Sequence, residues 1–449
     1  MQPHDFEQLL TSTLSNGARN DNSRRRSPLV DNTTTWDEGQ DDQVDTPAVV
    51  NTPTLSHADE IYVLGLDLVG KYITHTLAGC ETIPPVRYLI HHNALWHTWN
   101  KAGRQFILHR GNKAIVRNRV VGELYSPTDP QFGSMKLIHN LIVTVPAGSV
   151  VLALAPLKHR LDHRSTVCLI HDGLGVAEAL IDAYFRDPFT RPTFLMGHLS
   201  ASLAHAEKHE HYAVSEVQAG KLALSLITPY GKAVWQRAAG MDRIIKRHPP
   251  NIRTERQTHL LRLLTAMPDL NAHGYPMTDF MWKKLPTVAF RAVADPLATL
   301  LSCTFDKLAQ IQYARLLMDN MLSEICDVVA RLPECREAEK FRRLYLGMDL
   351  RKEVFRLLRR QKSADSMMRS RISRGWNTDV EYLTGFFIKR GREQQIKVTA
   401  LENIMLTVLA KQRIRQARLE QLKSQSGAGK ASPSGGGGGG GGQDSGQRQ

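Results

Sequence analysis

The 449-residue sequence lacks any apolar run of about 18 residues, so no segment is predicted to span a membrane. Its five cysteines lie far apart and form no Cys-x-x-Cys pair. That spacing argues against a disulfide framework and against a structural zinc site. Acidic residues number 44 against 58 basic ones, which gives a formal net charge of +14. These absences lead us to expect a soluble, basic, multidomain intracellular protein.

The two ends of the chain lack the composition of a folded core. Residues 1–57 are rich in Asn, Asp, Ser, Thr and Gln, and we predict that they are disordered. Nine acids among the first 54 residues, starting with Asp5 and Glu7, also make a poor mitochondrial presequence. The tail 426–449 contains the glycine run Gly435–Gly442 and is predicted to be a flexible, disordered segment.

The region 58–228 alternates short apolar runs with helical patterns. These runs have the length of strands buried on both faces of a parallel sheet. The predicted strands begin with the run after residue 60 and continue with RYLIHH (87–92), RQFILH (104–109), NLIVTV (140–145), VVLALA (150–155) and TVCLIH (166–171). Further strands are predicted within 192–206 and 212–227, and a helix within 176–185. The pattern predicts an α/β domain with right-handed crossovers.

The region 250–425 changes to a helical period of 3.6 residues. One of its helices contains Pro286, which we interpret as the first helical residue because proline is favoured there. The predicted fold is therefore an α/β N-terminal Rossmann-like domain followed by an all-α C-terminal domain.

A glycine loop lies between the first predicted strand and the first predicted helix. It matches the dinucleotide fingerprint GxGxxG at Gly65 and Gly70, but Asp67 stands at the second glycine. That glycine normally lets the backbone approach a pyrophosphate, whereas Asp67 adds bulk and negative charge. The loop therefore favours the fold more than it favours a cofactor site.

The order of these pieces resembles the ketopantoate reductase (2-dehydropantoate 2-reductase) family in its fungal form, over about residues 60–415. The segments that carry the resemblance are IYVLGLDLVGKYITHTLAG, HNLIVTVPAGSVVLAL, LIHDGLGVAEAL, DPFTRPTFLMGHLS, ADPLATLL and SMMRSRISRGWNTDVEYLTGFF. The resemblance implies an NADPH-binding Rossmann domain and a helical domain of the 6-phosphogluconate dehydrogenase C-terminal type. It also implies hydride transfer to ketopantoate, with a lysine as general acid.

Several positions depart from the pattern that the resemblance implies. The cofactor-binding positions become Gly65, Asp67, Gly70 and Asp172, where Asp172 replaces an asparagine, and Pro146 replaces a lysine near the cofactor. The catalytic lysine falls on Thr287 and a substrate-contacting asparagine on Arg291, while Ser366 is kept and an acid remains at Asp379. Lys284, three residues before Thr287, is a substitute only if a local insertion restores the geometry. The changes share one direction: they oppose an anionic cofactor and an anionic keto acid.

Two functions follow from these departures. The first is a diverged, catalytically inactive scaffold that acts as a binding protein, with no cofactor. It resembles a fungal mitochondrial translational activator of cytochrome b messenger RNA, which implies mitochondrial messenger RNA or ribosome as partner and a mitochondrial location. The alternative is an NADPH-dependent 2-dehydropantoate 2-reductase, and a cytoplasmic location also stays open. The sequence leaves a homo-oligomer open.

Positive charge is concentrated near the C-terminal end. Residues 55–425 carry a net charge of +18, of which 351–423 contribute +11 from 18 basic and 7 acidic residues. Such a patch favours polyanions, and Arg413, Arg415 and Arg418 are the predicted RNA or ribosome contacts. A solvated helix face is the other interpretation. No metal site is predicted, because the histidines of HAEKHEH (205–211) lack a matching Cys or acid cluster.

Overall fold

The computed structural model describes residues 60–125, 134–206, 210–227, 250–335, 349–361 and 364–428. The chain divides into two compact units. The α/β unit comprises residues up to Val145, Ala153–His171 and Ile181–Phe280, and the helical unit comprises Pro146–Leu152, Asp172–Leu180 and residues from Met281. The disorder predicted for 1–57 and for most of the tail falls on residues outside the description, as does the limit predicted at 228. These stay predictions.

An eight-stranded sheet forms the centre of the α/β unit. Its strands are β1 (Ile61–Leu64), β2 (Val86–Ile90), β5 (Val120–Leu124), β6 (Asn140–Val143), β7 (Thr166–Ile170), β8 (Thr193–Leu199), β11 (Leu222–Leu226) and β12 (Ala272–Gly274), in the order β12-β11-β8-β7-β6-β1-β2-β5. Six neighbouring strands, β5-β2-β1-β6-β7-β8, run parallel. This is the strand order of dinucleotide-binding folds, with the reversal of order between β1 and β6.

The central strands follow from their composition. Every residue of β1, β6 and β7 is buried, as the continuous apolar runs predict for strands covered on both faces. Helix α1 (Leu68–Ala78) follows β1, and α2 (Asn93–Lys101) follows β2. Helix α5 (Pro250–Thr265) adds Leu260 and Leu264 to the same core, although the sequence assigned residues from 250 to the helical domain.

A second, four-stranded sheet has the order β4-β3-β10-β9. It consists of β3 (Phe106–Arg110), β4 (Lys113–Arg117), β9 (Ser202–His205) and β10 (Ala213–Gln218). The run at 104–109 was expected in the parallel sheet, and that expectation was wrong. Four aromatic rings pack together beneath this sheet: Tyr88, Trp99, Phe106 and Tyr212.

The segment 150–155, predicted as a strand, lies almost wholly in helix α3 (Ala147–Leu154). The helix begins directly after Pro146, where a missing backbone N–H is tolerated. An apolar run of this length does not distinguish a strand from a buried helix. The helix α4 (Val176–Ala183) was predicted correctly.

From α6 onward, seven helices contribute described residues to the helical unit. They are α6 (Met277–Leu300), α7 (Phe305–Gln310), α8 (Gln312–Val329), α9 (Asp349–Gln361), α10 (Met367–Ser373), α11 (Thr384–Glu393) and α12 (Thr399–Ala428), the first of which starts in the other unit. Pro286 lies inside α6 rather than at its first residue, so that prediction was wrong. Helix α12 continues to Ala428, beyond the predicted end. No helix in the described part of the chain is long and apolar enough to cross a membrane.

Candidate functional site

The glycine loop after β1 brings α1 very close to the sheet. Gly65 has a φ of +147°, a conformation that side-chain-bearing residues rarely adopt. A Cβ atom on Gly65 would collide with the Thr144 hydroxyl, and one on Gly70 would collide with the Gly65 carbonyl. The Tyr88 hydroxyl donates a hydrogen bond to that same carbonyl over 3.1 Å. The structure thus explains why two glycines of the fingerprint are present.

Asp67 stands at the N-cap of α1. Its Oδ1 accepts hydrogen bonds from the Gly70 amide over 3.1 Å and from the Thr144 hydroxyl over 2.6 Å. Burial raises the pKa of Asp67 to about 6, against the lowering effect of these two bonds. The carboxylate therefore satisfies part of the helix N-terminus, where backbone amides otherwise attract an anion.

These residues do not fit the pyrophosphate of the NADPH that the resemblance implies. A pyrophosphate at this loop needs the amides at the start of α1, and Asp67 already uses one of them. When ionised, the partly buried Asp67 also places a negative charge at the position where a second one would have to bind. The pairing of Asp67 with Thr144 joins the ends of β1 and β6, where the strand order reverses.

The helical unit contains a second cluster, centred on Arg291 of α6. The Arg291 guanidinium forms ion pairs with Asp172 and with Asp295, each over 2.5 Å. The Ser366 hydroxyl, fully buried, donates to the other Asp295 oxygen over 3.1 Å. Burial acts to lower the pKa of Arg291, but Asp295 and Asp172 outweigh it and raise that pKa above its ordinary value. Arg291 is therefore a permanent cation whose charge is neutralised within the chain.

Asp379 provides a third internal carboxylate at a position where an anion could otherwise bind. Its Oδ1 accepts from the Gly148 amide over 2.9 Å, in the first turn of α3. A Cβ on Gly148 would collide with the Thr378 carbonyl, so this close approach requires glycine. The structure thus brings Asp172, Arg291 and Ser366 into one cluster. The charge of Asp379 also acts on Arg291, while its Oδ1 accepts from Gly148.

The two positions considered for a catalytic acid lie on α6. Thr287 is partly buried, whereas the side chain of Lys284 is 0% exposed. Because α6 is helical on both sides of Pro286, Lys284 lies on roughly the same face as Arg291, about 10 Å along the axis. Lys284 was expected to precede the helix, and the structure corrects that expectation.

The predicted RNA contacts on α12 differ in their surroundings. Arg413 and Arg418 are exposed. Arg415, expected to be exposed, is only partly so, and its guanidinium donates two hydrogen bonds to the Ser373 carbonyl at the end of α10. Lys411 donates in the same way to the Thr299 carbonyl near the end of α6, over 2.6 Å. Arg415 and Lys411 thus stabilise helix C-termini.

A metal site receives no support from the described residues. Among them no group of three or more His, Cys, Asp or Glu side chains could hold a metal ion. His205 ends β9, His211 lies in the following turn, and His209 falls outside the described residues.

Sequence reasoning missed Thr144 and Asp295 as members of these clusters. Thr144 directly follows β6, and the reversal of strand order next to β1 is the signal that could have indicated it. Asp295 lies four residues after Arg291, a spacing at which helical side chains meet. The contact between Asp172 and Arg291 joins residues 119 positions apart and carries no local signal.

Comparison with known proteins agrees with this architecture. Residues 61–223 match the family model "Ketopantoate reductase PanE/ApbA", and residues 279–412 match "Ketopantoate reductase PanE/ApbA C terminal". The 2-dehydropantoate 2-reductase of Vibrio cholerae is 22% identical over 262 residues, which cover 58% of this chain and 74% of that protein.

Solved structures share the fold at low sequence identity. The PanE/ApbA family ketopantoate reductase of Ralstonia eutropha JMP134 has a TM-score of 0.54 at 14% identity, covering 80% of this chain and 99% of that one. The 2-dehydropantoate 2-reductase of Methylococcus capsulatus has a TM-score of 0.53 at 14% identity, covering 79% and 97%. With both family models matched in order, the chain belongs to the ketopantoate reductase family.

Proposed function

We propose that this chain is a member of the ketopantoate reductase family that has lost hydride transfer and acts as a binding protein for RNA. One observation supports the loss of hydride transfer. The Asp67 carboxylate accepts the hydrogen bond of the Gly70 amide, on which a cofactor phosphate would depend. The Asp172–Arg291–Asp295 cluster adds to it, because Arg291 is already neutralised and cannot serve an anionic keto acid without losing a partner.

The activity of the purified full-length chain tests the loss of hydride transfer. Oxidation of NADPH in the presence of ketopantoate is followed by absorbance, with an active ketopantoate reductase as the positive control. We expect no substrate-dependent oxidation by this chain. Turnover above the rate without substrate would contradict the proposal.

The RNA-binding part of the proposal rests on the positive charge near the C-terminal end. The region 351–423 has a net charge of +11, and its exposed arginines include Arg413 and Arg418. Phosphate backbones bind such surfaces with a strong dependence on salt. Binding of a labelled single-stranded RNA at several salt concentrations tests this part, and we expect log K to fall linearly with log salt. Absence of binding at low salt would contradict it.

The proposal extends to mitochondrial messenger RNA or its ribosome as the partner, after the resemblance to a fungal translational activator. Imaging of a tagged chain tests the location. A signal confined to the cytosol would contradict this part alone, because RNA binding does not depend on the compartment.

A reductase with a displaced catalytic lysine is the second candidate. The observation that favours it is Lys284, a fully buried lysine on roughly the face of α6 that carries Arg291. A lysine ammonium can act as a general acid when it comes within hydrogen-bond reach of the substrate carbonyl. Under this alternative the wild-type chain oxidises NADPH with ketopantoate and Lys284→Met abolishes the turnover, whereas under our proposal neither chain is active.

A further inference from the structure

A tryptophan is exposed to solvent on the short turn between α10 and the 3-10 helix Val380–Tyr382. Trp376 is 52% exposed, whereas tryptophan usually buries most of its ring. Single exposed apolar residues are common on protein surfaces. What distinguishes Trp376 is the number of interactions that fix the turn on which it stands.

The backbone of the turn is held from α10. The Trp376 amide donates to the Arg371 carbonyl over 2.9 Å, and the Arg371 guanidinium donates to the Asn377 carbonyl over 2.6 Å. Gly375 has a φ of +76°, and a Cβ there would lie 2.7 Å from the Leu419 side chain. The turn therefore requires glycine at this position and has little freedom to rearrange.

Helix α12 holds the same turn from its other side. The Gln412 and Gln416 side-chain amides each donate to the Asn377 side-chain oxygen over 3.2 Å. Gln416 also donates to the Gly375 carbonyl over 3.2 Å. Because the turn is held in place, the exposed Trp376 ring loses little conformational entropy when a ligand stacks on it, which favours binding.

One arginine lies against this ring, and two more are exposed on the helix that holds the turn. The Arg374 guanidinium lies 5.0 Å from the centroid of the Trp376 indole, within cation–π distance. Arg413 and Arg418 are exposed on α12, the helix that holds the turn. None of these three arginines forms an ion pair with an acidic residue in the described ranges of the chain. Their charge is therefore available to a partner.

We propose that Trp376 and Arg374 form a base-stacking surface for single-stranded RNA, and that the exposed Arg413 and Arg418 of α12 contribute charge to the same partner. The inference rests on the proposed RNA-binding function and names its site. Aromatic rings among cations are how proteins bind single strands without reading sequence, because every base has a π-face and every linkage a phosphate. An acidic peptide would use the arginines but would gain little from an exposed indole.

The test is fluorescence anisotropy of a labelled oligouridylate with the full-length chain. Trp376→Ala should weaken binding roughly 5- to 100-fold, the range seen when one stacking side chain is removed, with an unchanged salt slope. Trp376→Phe, which keeps an aromatic face, should recover most of the affinity. Tyr313→Ala is the matched control, because Tyr313 is 80% exposed on α8 and outside the surface.

The outcomes separate this inference from the proposed function. If the wild type binds and Trp376→Ala binds equally well, the surface is wrong while RNA binding stands. If the wild type does not bind at low salt, the proposed function fails and the inference fails with it. If Trp376→Ala weakens binding of a polyglutamate peptide as much as that of RNA, the partner class is wrong. Thermal unfolding of each variant confirms that the fold is kept.

Discussion

The glycine loop of the α/β unit and the Arg291 cluster of the helical unit use the same kind of substitution with different energetic results. In both, a carboxylate of the chain pairs with a group that could otherwise receive an anion. Asp67 accepts its hydrogen bonds from a hydroxyl and from the Gly70 amide, and burial raises its pKa to about 6. Arg291 is instead paired with two acids, and burial holds the pKa of Asp295 above its ordinary value, although the Arg291 cation acts to lower it.

The difference indicates how reversible each departure from the family pattern is. Removing Asp67 removes a partly buried charge and frees the Gly70 amide, so a single substitution changes the loop without leaving a charge unpaired. Removing Arg291 leaves the buried Asp295 without its cation. We therefore expect substitutions of Asp67 to stabilise the chain and to change binding, and substitutions of Arg291 to destabilise it.

The largest effect is expected from Arg291→Ala. The substitution leaves Asp295 buried and unpaired, and the free energy of unfolding should fall by about 3–5 kcal/mol, as measured by urea denaturation. Arg392→Ala is the control, because the ion pair of Arg392 with Glu402 is exposed and should contribute less than about 1 kcal/mol. Equal losses in the two variants would show that the Arg291 cluster is not a structural unit.

Asp67→Asn should raise stability in a manner that depends on pH. The pKa of Asp67 rises from 3.8 to about 6 on folding, so its ionisation destabilises the folded chain progressively as the pH rises through this window. Asparagine keeps the N-cap without the charge. We expect a gain of about 1–3 kcal/mol at pH 7.5 and almost none at pH 4, measured by urea unfolding at both values. A gain independent of pH would mean that charge is not the cause.

A smaller effect should distinguish the arginines of α12. Arg415→Gln loses two hydrogen bonds to the Ser373 carbonyl, at 3.1 and 3.0 Å, and should cost about 0.5–1.5 kcal/mol of stability. Arg413→Gln changes an exposed side chain and should stay within about 0.5 kcal/mol. Thermal unfolding of the two variants measures the contrast. The opposite order would reverse our assignment of a structural role to Arg415.

The smallest effect concerns the salt dependence of RNA binding. Changing both Arg413 and Arg418 to Gln should flatten the slope of log K against log salt by up to about 1.4, since each phosphate contact on a single strand contributes about 0.7. Arg415 is left unchanged here because its loss would also perturb the fold. An unchanged slope would indicate that these two arginines of α12 are merely solvated.

The sequence predicted the elements that periodicity and glycines determine. The buried strands β1, β6 and β7 have continuous apolar runs, and Gly65 and Gly70 indicate the tight connection to α1. Two predictions were wrong where the local pattern is ambiguous. The run 150–155, predicted as a strand, lies almost wholly in helix α3, and Pro286, predicted as the first helical residue, lies inside α6. Tertiary packing decides such cases.

The sequence predicted which residues of the candidate site depart from the family pattern, but it did not predict which of them contact one another. Asp67, Asp172 and Arg291 were each identified from the family pattern. That Arg291 binds Asp172, and that Asp67 binds Thr144, depends on long-range proximity that no local pattern contains. Likewise, Arg413 and Arg415 lie two residues apart on α12, but Arg413 is exposed and Arg415 caps α10. The position of α10 decides this difference.

Isothermal titration of the full-length chain with NADPH tests the central claim, that an internal carboxylate occupies the anion position of the glycine loop. We predict no saturable binding by the wild type up to about 1 mM cofactor, and a gain of at least about tenfold in affinity for Asp67→Gly. Asp67→Asn, which keeps the bulk without the charge, should fall between them. Micromolar binding by the wild type, unchanged in Asp67→Gly, would contradict the account.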